Sequence, residues 1–313
     1  MKVFVAGATG AVGKHLVPLL VECGFEVTGM TRTPEKQDLV RELGAEPAVA
    51  DGLDRAAVID AVMRAEPDVL IHQMTDLTGL KSFKNFDKEF AVTNRLRTEG
   101  TQHLLEAARA AGARRFIAQS YGSWIYQANG TGPKTEEDPL DPDPPSRQRR
   151  SMEAIRRLEA IVAGATDIQG IALRYGSFYG PGTGLEHDGE LARLVEKRRF
   201  PIIGDGAGIW SFMHVHDAAA VAVAAVENGG PGIYNASDDE PVAVADWLPA
   251  LTRALGAKPP RRVPVWLGRL AAGEVGVSMM TRIPGQSNAK AKRDLRWRPR
   301  YPSYREGFAE GLR

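Results

Sequence analysis

Three glycines, Gly7, Gly10 and Gly13, stand three apart near the head of the chain, directly behind the apolar run Val3 to Ala6. Glycines at this spacing turn tightly and let a backbone approach a bulky anion, because no Cβ intervenes. Leu16, Leu19 and Leu20 then take up helical spacing, so the N–H groups and positive dipole end of a new helix would face that anion. Phosphate binding is the chemistry such a stretch performs. Thr9, Ala11 and Val12 complete the candidate cradle. A second cluster, residues 120–126 (SYGSWIY), gathers the hydroxyls of Ser120, Tyr121, Ser123 and Tyr126. Grouped hydroxyls hold a carbonyl oxygen or hand over a proton.

The elements that position these groups follow from the pattern around them. Strand, glycine loop, helix and a second strand over 26–30 form a βαβ unit, the context that turns a glycine triplet into a dinucleotide site. After the second strand, Thr31 stands where an NAD-binding fold would place an acid for the ribose hydroxyls. Arg32, with Lys36 one turn on if a helix starts near Pro34, offers cations to a 2′-phosphate, so NADP is expected over NAD. Asp51 and Gly52 follow a third short strand; Asp51 suits the adenine amino group or a cap for the helix beginning near Asp54. The fourth strand, 68–72, delivers Gln73, Met74 and Thr75 to the carboxyl edge, where ligands bind. Residues 76–90 read as a loop leading into a helix, and 94–111 as a helix ended by Gly112. The fifth strand, 115–119, aims Ser120 to Ser123 at the crevice. Residues 127–148, rich in proline and acids, read as a surface loop or lid. A helix over 152–162 and a sixth strand over 170–174 lead to Tyr175 and Ser177.

Composition narrows the function classes. Forty basic and thirty-nine acidic residues in a chain of 313 leave almost no net charge, which favours neither nucleic acid nor an anionic membrane. Cys23 is the only cysteine, so no disulfide forms within the chain. With no signal-peptide pattern and no apolar run of membrane-spanning length, a cytoplasmic protein is expected. His214 and His216 would share one face of a strand, but no further ligands stand at suitable spacing, and no metal is expected.

Taken together, GATGAVG, DVLIH, SYGSWIY, LRYGSFYGPG, GDGAGIWSFMHVHDAA, GIYNASDDEPVAVADWL and SNAKAKRDLRWRPRYPSYREGF resemble the extended short-chain dehydrogenase/reductase family. The nearest branch is the NAD-dependent epimerase/dehydratase group, and the resemblance covers essentially the whole chain. It implies an α/β fold, a doubly wound parallel Rossmann sheet with a smaller carboxyl-terminal substrate lobe. Residues 1–175 and 205–235 would form the first, and 176–204 and 236–313 the second. It also implies that Ser120 and Tyr175 border the nicotinamide, and that Tyr126, Ser177 and Trp210 reach a small-molecule substrate. Trp266, Leu267, Met279 and Met280 are expected to line or cover the lobe. A homodimer is compatible with this picture.

The departures from the family are specific. Its YxxxK signature is absent: alignment through Glu159 puts Ser151 at the tyrosine and Ile155 at the lysine. The family's catalytic Ser/Thr falls on Gly122, with Ser123 one step along. An arginine that contacts the diphosphate in nucleotide-sugar enzymes is replaced by Trp210, and the motif after it reads Val215-His216-Asp217. Without the lysine no phenol has its pKa lowered for proton exchange. Tyr121 and Ser123 are therefore expected as the catalytic hydroxyls, working more by positioning than as a base. Trp210 offers either a flat apolar surface to a neutral or aromatic ligand, or lobe packing. The expected function is an NAD(P)-dependent oxidoreductase or epimerase/dehydratase-like enzyme on a small non-nucleotide substrate. The alternative is a non-catalytic NADP-binding redox sensor.

Overall fold

A computed structural model describes residues 1–77 and 83–312. The chain runs β1 (Lys2–Ala6), α1 (Gly13–Glu22), β2 (Glu26–Thr31), α2 (Gln37–Glu42), β3 (Glu46–Val49), α3 (Arg55–Ala65), β4 (Val69–His72), α4 (Phe86–Glu89), α5 (Ala91–Arg95), α6 (Thr101–Ala110), β5 (Arg115–Tyr121), α7 (Arg149–Ala163) and β6 (Gln169–Tyr175). It continues through β7 (Ser177–Tyr179), α8 (Glu190–Glu196), β8 (Ile202–Ile203), β9 (Ile209–Trp210), β10 (Phe212–His214), α9 (Val215–Asn228) and β11 (Gly232–Ala236). The last elements are β12 (Val242–Ala243), α10 (Val244–Ala254), β13 (Arg262–Val263), α11 (Val265–Thr281), α12 (Ala289–Asp294) and α13 (Tyr304–Glu310).

Seven strands form one parallel sheet in the order β3-β2-β1-β4-β5-β6-β11. Its strands are apolar on both sides because helices cover both faces. Val3, Val5 and Ile117 pack with Leu16 and Leu20 of α1 and with Ala218 and Ala222 of α9. Phe4, Leu70 and Phe116 pack with Val58 of α3, Leu104 of α6 and Leu158 of α7. The order reverses beside β1, which opens a crevice at the carboxyl edge between β1 and β4. β5 and β6 run further than their sequence spacing predicts, and Tyr121 pairs in register with Tyr175. Both tyrosines therefore sit at the edge of that crevice.

The helix expected over 94–111 is not continuous. A π turn, Leu96–Gly100, joins α5 to α6. The Leu96 carbonyl accepts from the Thr101 N–H, one residue further than an α-helix would use. The extra residue rotates the side chains on one side of the turn relative to the other. The loop expected over 76–90 falls partly on 78–82, outside the described residues; Phe83–Asn85 is a 3₁₀ turn. Residues 127–148 contain only a 3₁₀ turn at Ser146–Gln148 and two isolated bridges, Tyr126 to Leu140 and Lys134 to Gln286.

A third apolar cluster gathers the rest. Trp210, Phe212, Trp247, Tyr304 and Phe308 interlock there, with Met279 and Met280 buried beside them. Small two-stranded pairings, β7 with β10, β9 with β12 and β8 with β13, stitch it together. Trp266 departs from expectation. It is 66% exposed, and Leu267 39%, so neither is enclosed by the cluster. His214 and His216 also part company, because β10 ends at His214 and α9 takes in His216. Among the described residues no helix is long and apolar enough to cross a membrane.

Candidate dinucleotide and substrate site

The glycine loop is built as a cradle. Gly7 has φ +96°, and a Cβ there would lie 2.9 Å from the Gln73 backbone at the end of β4. A Cβ on Gly13 would lie 2.3 Å from the Gly7 carbonyl oxygen, so the helix can start this close only with glycine. The Gly10 N–H closes the turn onto the Gly7 carbonyl at 3.1 Å. Among the described residues the N–H groups of Thr9, Ala11 and Val12 find no acceptor. Orphan donors at the start of a ten-residue helix, with no side chain capping it, are what a pyrophosphate requires.

At the β2 end, Thr31 is buried, with its Oγ1 3.5 Å from Thr9 Oγ1. Thr31 Oγ1 also accepts from the Thr33 N–H at 3.3 Å. Arg32 and Lys36 are exposed, and neither side chain has a hydrogen bond or ion pair among the described residues. Asp51 does not cap α3. Its Oδ1 accepts from the Leu53 N–H at 2.9 Å, while Asp54 caps the helix through the Ala57 N–H at 3.1 Å. Gly52 abuts Met74, whose sulfur would lie 2.5 Å from any Cβ placed there.

The β4 end is rigid. His72 Nδ1 accepts from the Met74 N–H at 3.1 Å, which leaves its proton on Nε2, 3.3 Å from the Leu96 carbonyl of the π turn. Burial pushes the His72 pKa down to about 4, so the ring is neutral near pH 7. Gln73 Nε2 donates to Tyr175 Oη at 3.1 Å, and Tyr175 passes its proton to the Ala218 carbonyl at 3.3 Å. Gln73 Oε1 is buried with no partner among the described residues. Met74 is nearly covered and Thr75 is exposed.

The strand ends of β5 and β7 bring three hydroxyls together. Tyr121 Oη lies 3.0 Å from Ser177 Oγ, and Ser177 Oγ donates to Ser123 Oγ at 3.3 Å. Because the Ser177 proton is committed to Ser123, Tyr121 is the donor in the first pair. The free proton of the trio is then on Ser123. Burial raises the Tyr121 pKa, which disfavours the phenolate further.

Aromatic rings continue from Tyr121. Trp124 lies 5.8 Å from it, Phe86 meets Trp124 edge-on at 5.3 Å, and Phe90 stacks on Phe86 at 4.1 Å. The Arg97 guanidinium lies over Phe90, 5.9 Å from the ring centre. Sequence reasoning passed over Phe86, Phe90 and Arg97. A charged residue four before Thr101 and seven before Leu104, on the stripe that packs inward, was the available signal.

The remaining expected residues sit in internal networks. Ser120 Oγ donates to Glu159 Oε1 at 2.8 Å, and Glu159 is held by Arg174 through two bonds of 2.7 Å. Tyr126 Oη donates to Asn235 Oδ1 at 2.5 Å and accepts from Arg174 at 2.8 Å. Trp210 is 6% exposed, donates from Nε1 to the Met279 carbonyl at 2.9 Å and packs 5.0 Å from Trp247. Tyr126 and Trp210 thus have their polar groups spent inside the protein. On α7, Ser151 Oγ donates to Asp87 Oδ1 at 2.7 Å and accepts from Asn94 Nδ2 at 3.0 Å, while Ile155 is fully buried. Neither offers an acid or base. Among the described residues no group of three or more His, Cys, Asp or Glu could hold a metal ion.

A doubly wound parallel sheet with a phosphate cradle at its first turn, and hydroxyls at the adjoining strand ends, defines an enzyme that uses a nicotinamide dinucleotide. The chain belongs to the NAD dependent epimerase/dehydratase family, which it matches over residues 3–237. It is 43% identical to a 3-diazoavenalumate denitrifying reductase of a Streptomyces species, across 98% of this chain and 99% of that one. It is 26% identical to a 2-alkyl-3-oxoalkanoate reductase of Stenotrophomonas maltophilia, across 82% of this chain and 76% of that one. Among solved structures, a Thermotoga maritima UDP-glucose 4-epimerase with UDP-glucose superposes with a TM-score of 0.78 at 22% identity, covering 100% of this chain and 97% of that one. A human epimerase family protein with NADPH gives 0.76 at 20% identity, covering 100% and 99%. At those identities the two structures attest the fold alone. Family and curated relatives together make the chain an NAD(P)-dependent oxidoreductase-like enzyme.

Proposed function

We propose that the protein is an NADPH-dependent reductase that replaces a diazo group on a small, non-nucleotide substrate with hydrogen. The carrying observation is the loss of the proton-exchanging pair, Ser151 and Ile155 standing where the family has tyrosine and lysine, in a chain 43% identical along its length to a denitrifying reductase of a diazo compound. Reducing a carbonyl needs a hydride and a proton. A reduced nicotinamide, when bound, would supply a hydride, and replacing an arenediazonium group needs no more than that: R–N₂⁺ + NADPH → R–H + N₂ + NADP⁺. No residue has to protonate a leaving group, because dinitrogen departs neutral.

The work left to the chain is binding, orientation and exclusion of water. Thr9, Ala11, Val12 and the three glycines would hold the pyrophosphate. Thr31, with Arg32 free beside it and Lys36 nearby, supports a 2′-phosphate and hence NADP. Gln73, Met74, Thr75 and Tyr175 would border the nicotinamide, and Asp51 with Gly52 the adenosine. Tyr121, Ser123 and Ser177 would orient the substrate, Ser123 being the hydroxyl with a proton to give. The sequence-based division stays with this reading: 1–175 and 205–235 for the cofactor, 176–204 and 236–313 for the substrate lobe.

The test mixes purified protein with NADPH and an arenediazonium carboxylate, following NADPH absorbance and dinitrogen by mass spectrometry. One equivalent of each per turnover is expected. NADPH oxidation by keto compounds with none by diazo compounds would overturn the proposal.

A further inference from the structure

Arg97 is a buried cation with no ion pair among the described residues. It is 4% exposed, yet no carboxylate among the described residues pairs with it. Among the described residues its guanidinium makes one long hydrogen bond, 3.5 Å to Asn94 Oδ1. The buried acid within its electrostatic reach, Glu159, is committed to Arg174 through both oxygens and to Ser120 as well. Glu159 is thus spent on Arg174, and the charge on Arg97 is left without an ion pair among the described residues. Burial draws its pKa down to about 10, and Tyr121 and Glu159 are the groups within its electrostatic reach. A guanidinium left this dry and this short of acceptors is costly unless an anion joins it.

The geometry points to Arg97 as the anchor for a carboxylate on the substrate, with the Phe86, Phe90, Trp124 and Tyr121 rings forming the wall along which the attached aromatic group lies. The planar fork of donors suits a carboxylate bidentately. The cofactor's phosphates are not the anion, because they have the orphan N–H groups at the start of α1, whereas Arg97 lies by Tyr121 on the hydroxyl side. Four aromatic residues in succession, their rings 4.1 to 5.8 Å apart, favour a flat conjugated acid over a sugar or an aliphatic one. The π turn explains the placement. Its extra residue brings Arg97 beneath Phe90 while Asn94, three residues earlier, still reaches Ser151.

This assignment deepens the reductase reading by naming its substrate class, and it is tested without the reaction. Calorimetry on the protein saturated with NADP⁺ compares cinnamate with cinnamamide, neither of which has a diazo group to lose. Cinnamate should bind at least tenfold more tightly than the amide to the unaltered protein. Arg97→Gln should abolish that preference, and Arg97→Lys should keep part of it, with NADP⁺ affinity unchanged and a thermal midpoint no lower than that of the unaltered protein as the control for folding. Equal binding of acid and amide by the unaltered protein, or no binding of either, would overturn the assignment. A preference that survives in Arg97→Gln would overturn it too. A positive result here beside an inert diazo assay would leave the carboxylate site standing and remove only the denitrifying chemistry.

Discussion

The family pattern would put a catalytic Ser or Thr at Gly122, and any side chain there would meet Gln286. A Cβ at Gly122 would fall 1.8 Å from Gln286 Oε1 and 2.8 Å from its Cδ. Gln286 cannot swing aside freely, because Nε2 donates to the Arg174 carbonyl at 3.0 Å and the Ala236 carbonyl at 3.3 Å. Those two carbonyls belong to β6 and β11, so the carboxamide ties the following segment to the sheet. Gly122→Ala should therefore displace the carboxamide and break both of its bonds, while the Ala236 carbonyl keeps the Gly176 N–H at 2.8 Å. At about 1 to 1.5 kcal/mol for each lost bond, the cost is about 2 to 3 kcal/mol. Gln286→Ala loses the same two bonds and should cost about the same. In the double variant the added methyl enters space already emptied, so the total should stay near about 2 to 3 kcal/mol instead of doubling. Urea unfolding of the four proteins, read by tryptophan fluorescence, gives the cycle. Additive losses would show that the two residues do not compete for one space, and the reasoning would fail.

Other outcomes follow from the same contacts. His72 has its folded pKa lowered to about 4 from an ordinary 6.5, so the stability it contributes is complete above pH 6.5 and is lost as pH falls towards 4. The loss totals about 3 kcal/mol, and a His72→Gln variant, compared by urea unfolding across that range, should lack this component of the slope. Arg32→Glu should weaken NADP⁺ binding by about 1.5 to 3 kcal/mol while leaving NAD⁺ nearly unchanged, as read by fluorescence titration. Tyr121→Phe breaks the bond to Ser177 but removes no required proton transfer. Turnover on a diazo substrate should fall less than about tenfold, with cofactor affinity intact; a loss of a hundredfold or more would mean that a proton is moved there after all.

Local patterns suffice for the first half of this protein. Apolar runs read as buried strands, glycine spacing and helical leucines mark the cradle, and each is satisfied within some thirty residues of chain. The missing YxxxK is likewise a property of the sequence. The tertiary structure decides what side chains far apart in sequence do to one another. Trp210 and Tyr126 looked like candidates for a ligand because aromatic and hydroxyl groups suit ligands. In the structure their donors go to Met279 and Asn235, across distances in sequence that no local pattern spans. Ser120 was drawn in the same way into the pair of Glu159 and Arg174. Arg97 ran in the opposite direction. It reads as one more charge on a helix, until the π turn and the prior commitment of Glu159 leave it buried and short of acceptors. Type and spacing fix which groups a strand or helix can offer. Only packing fixes which of them are already spent and which are still free to bind.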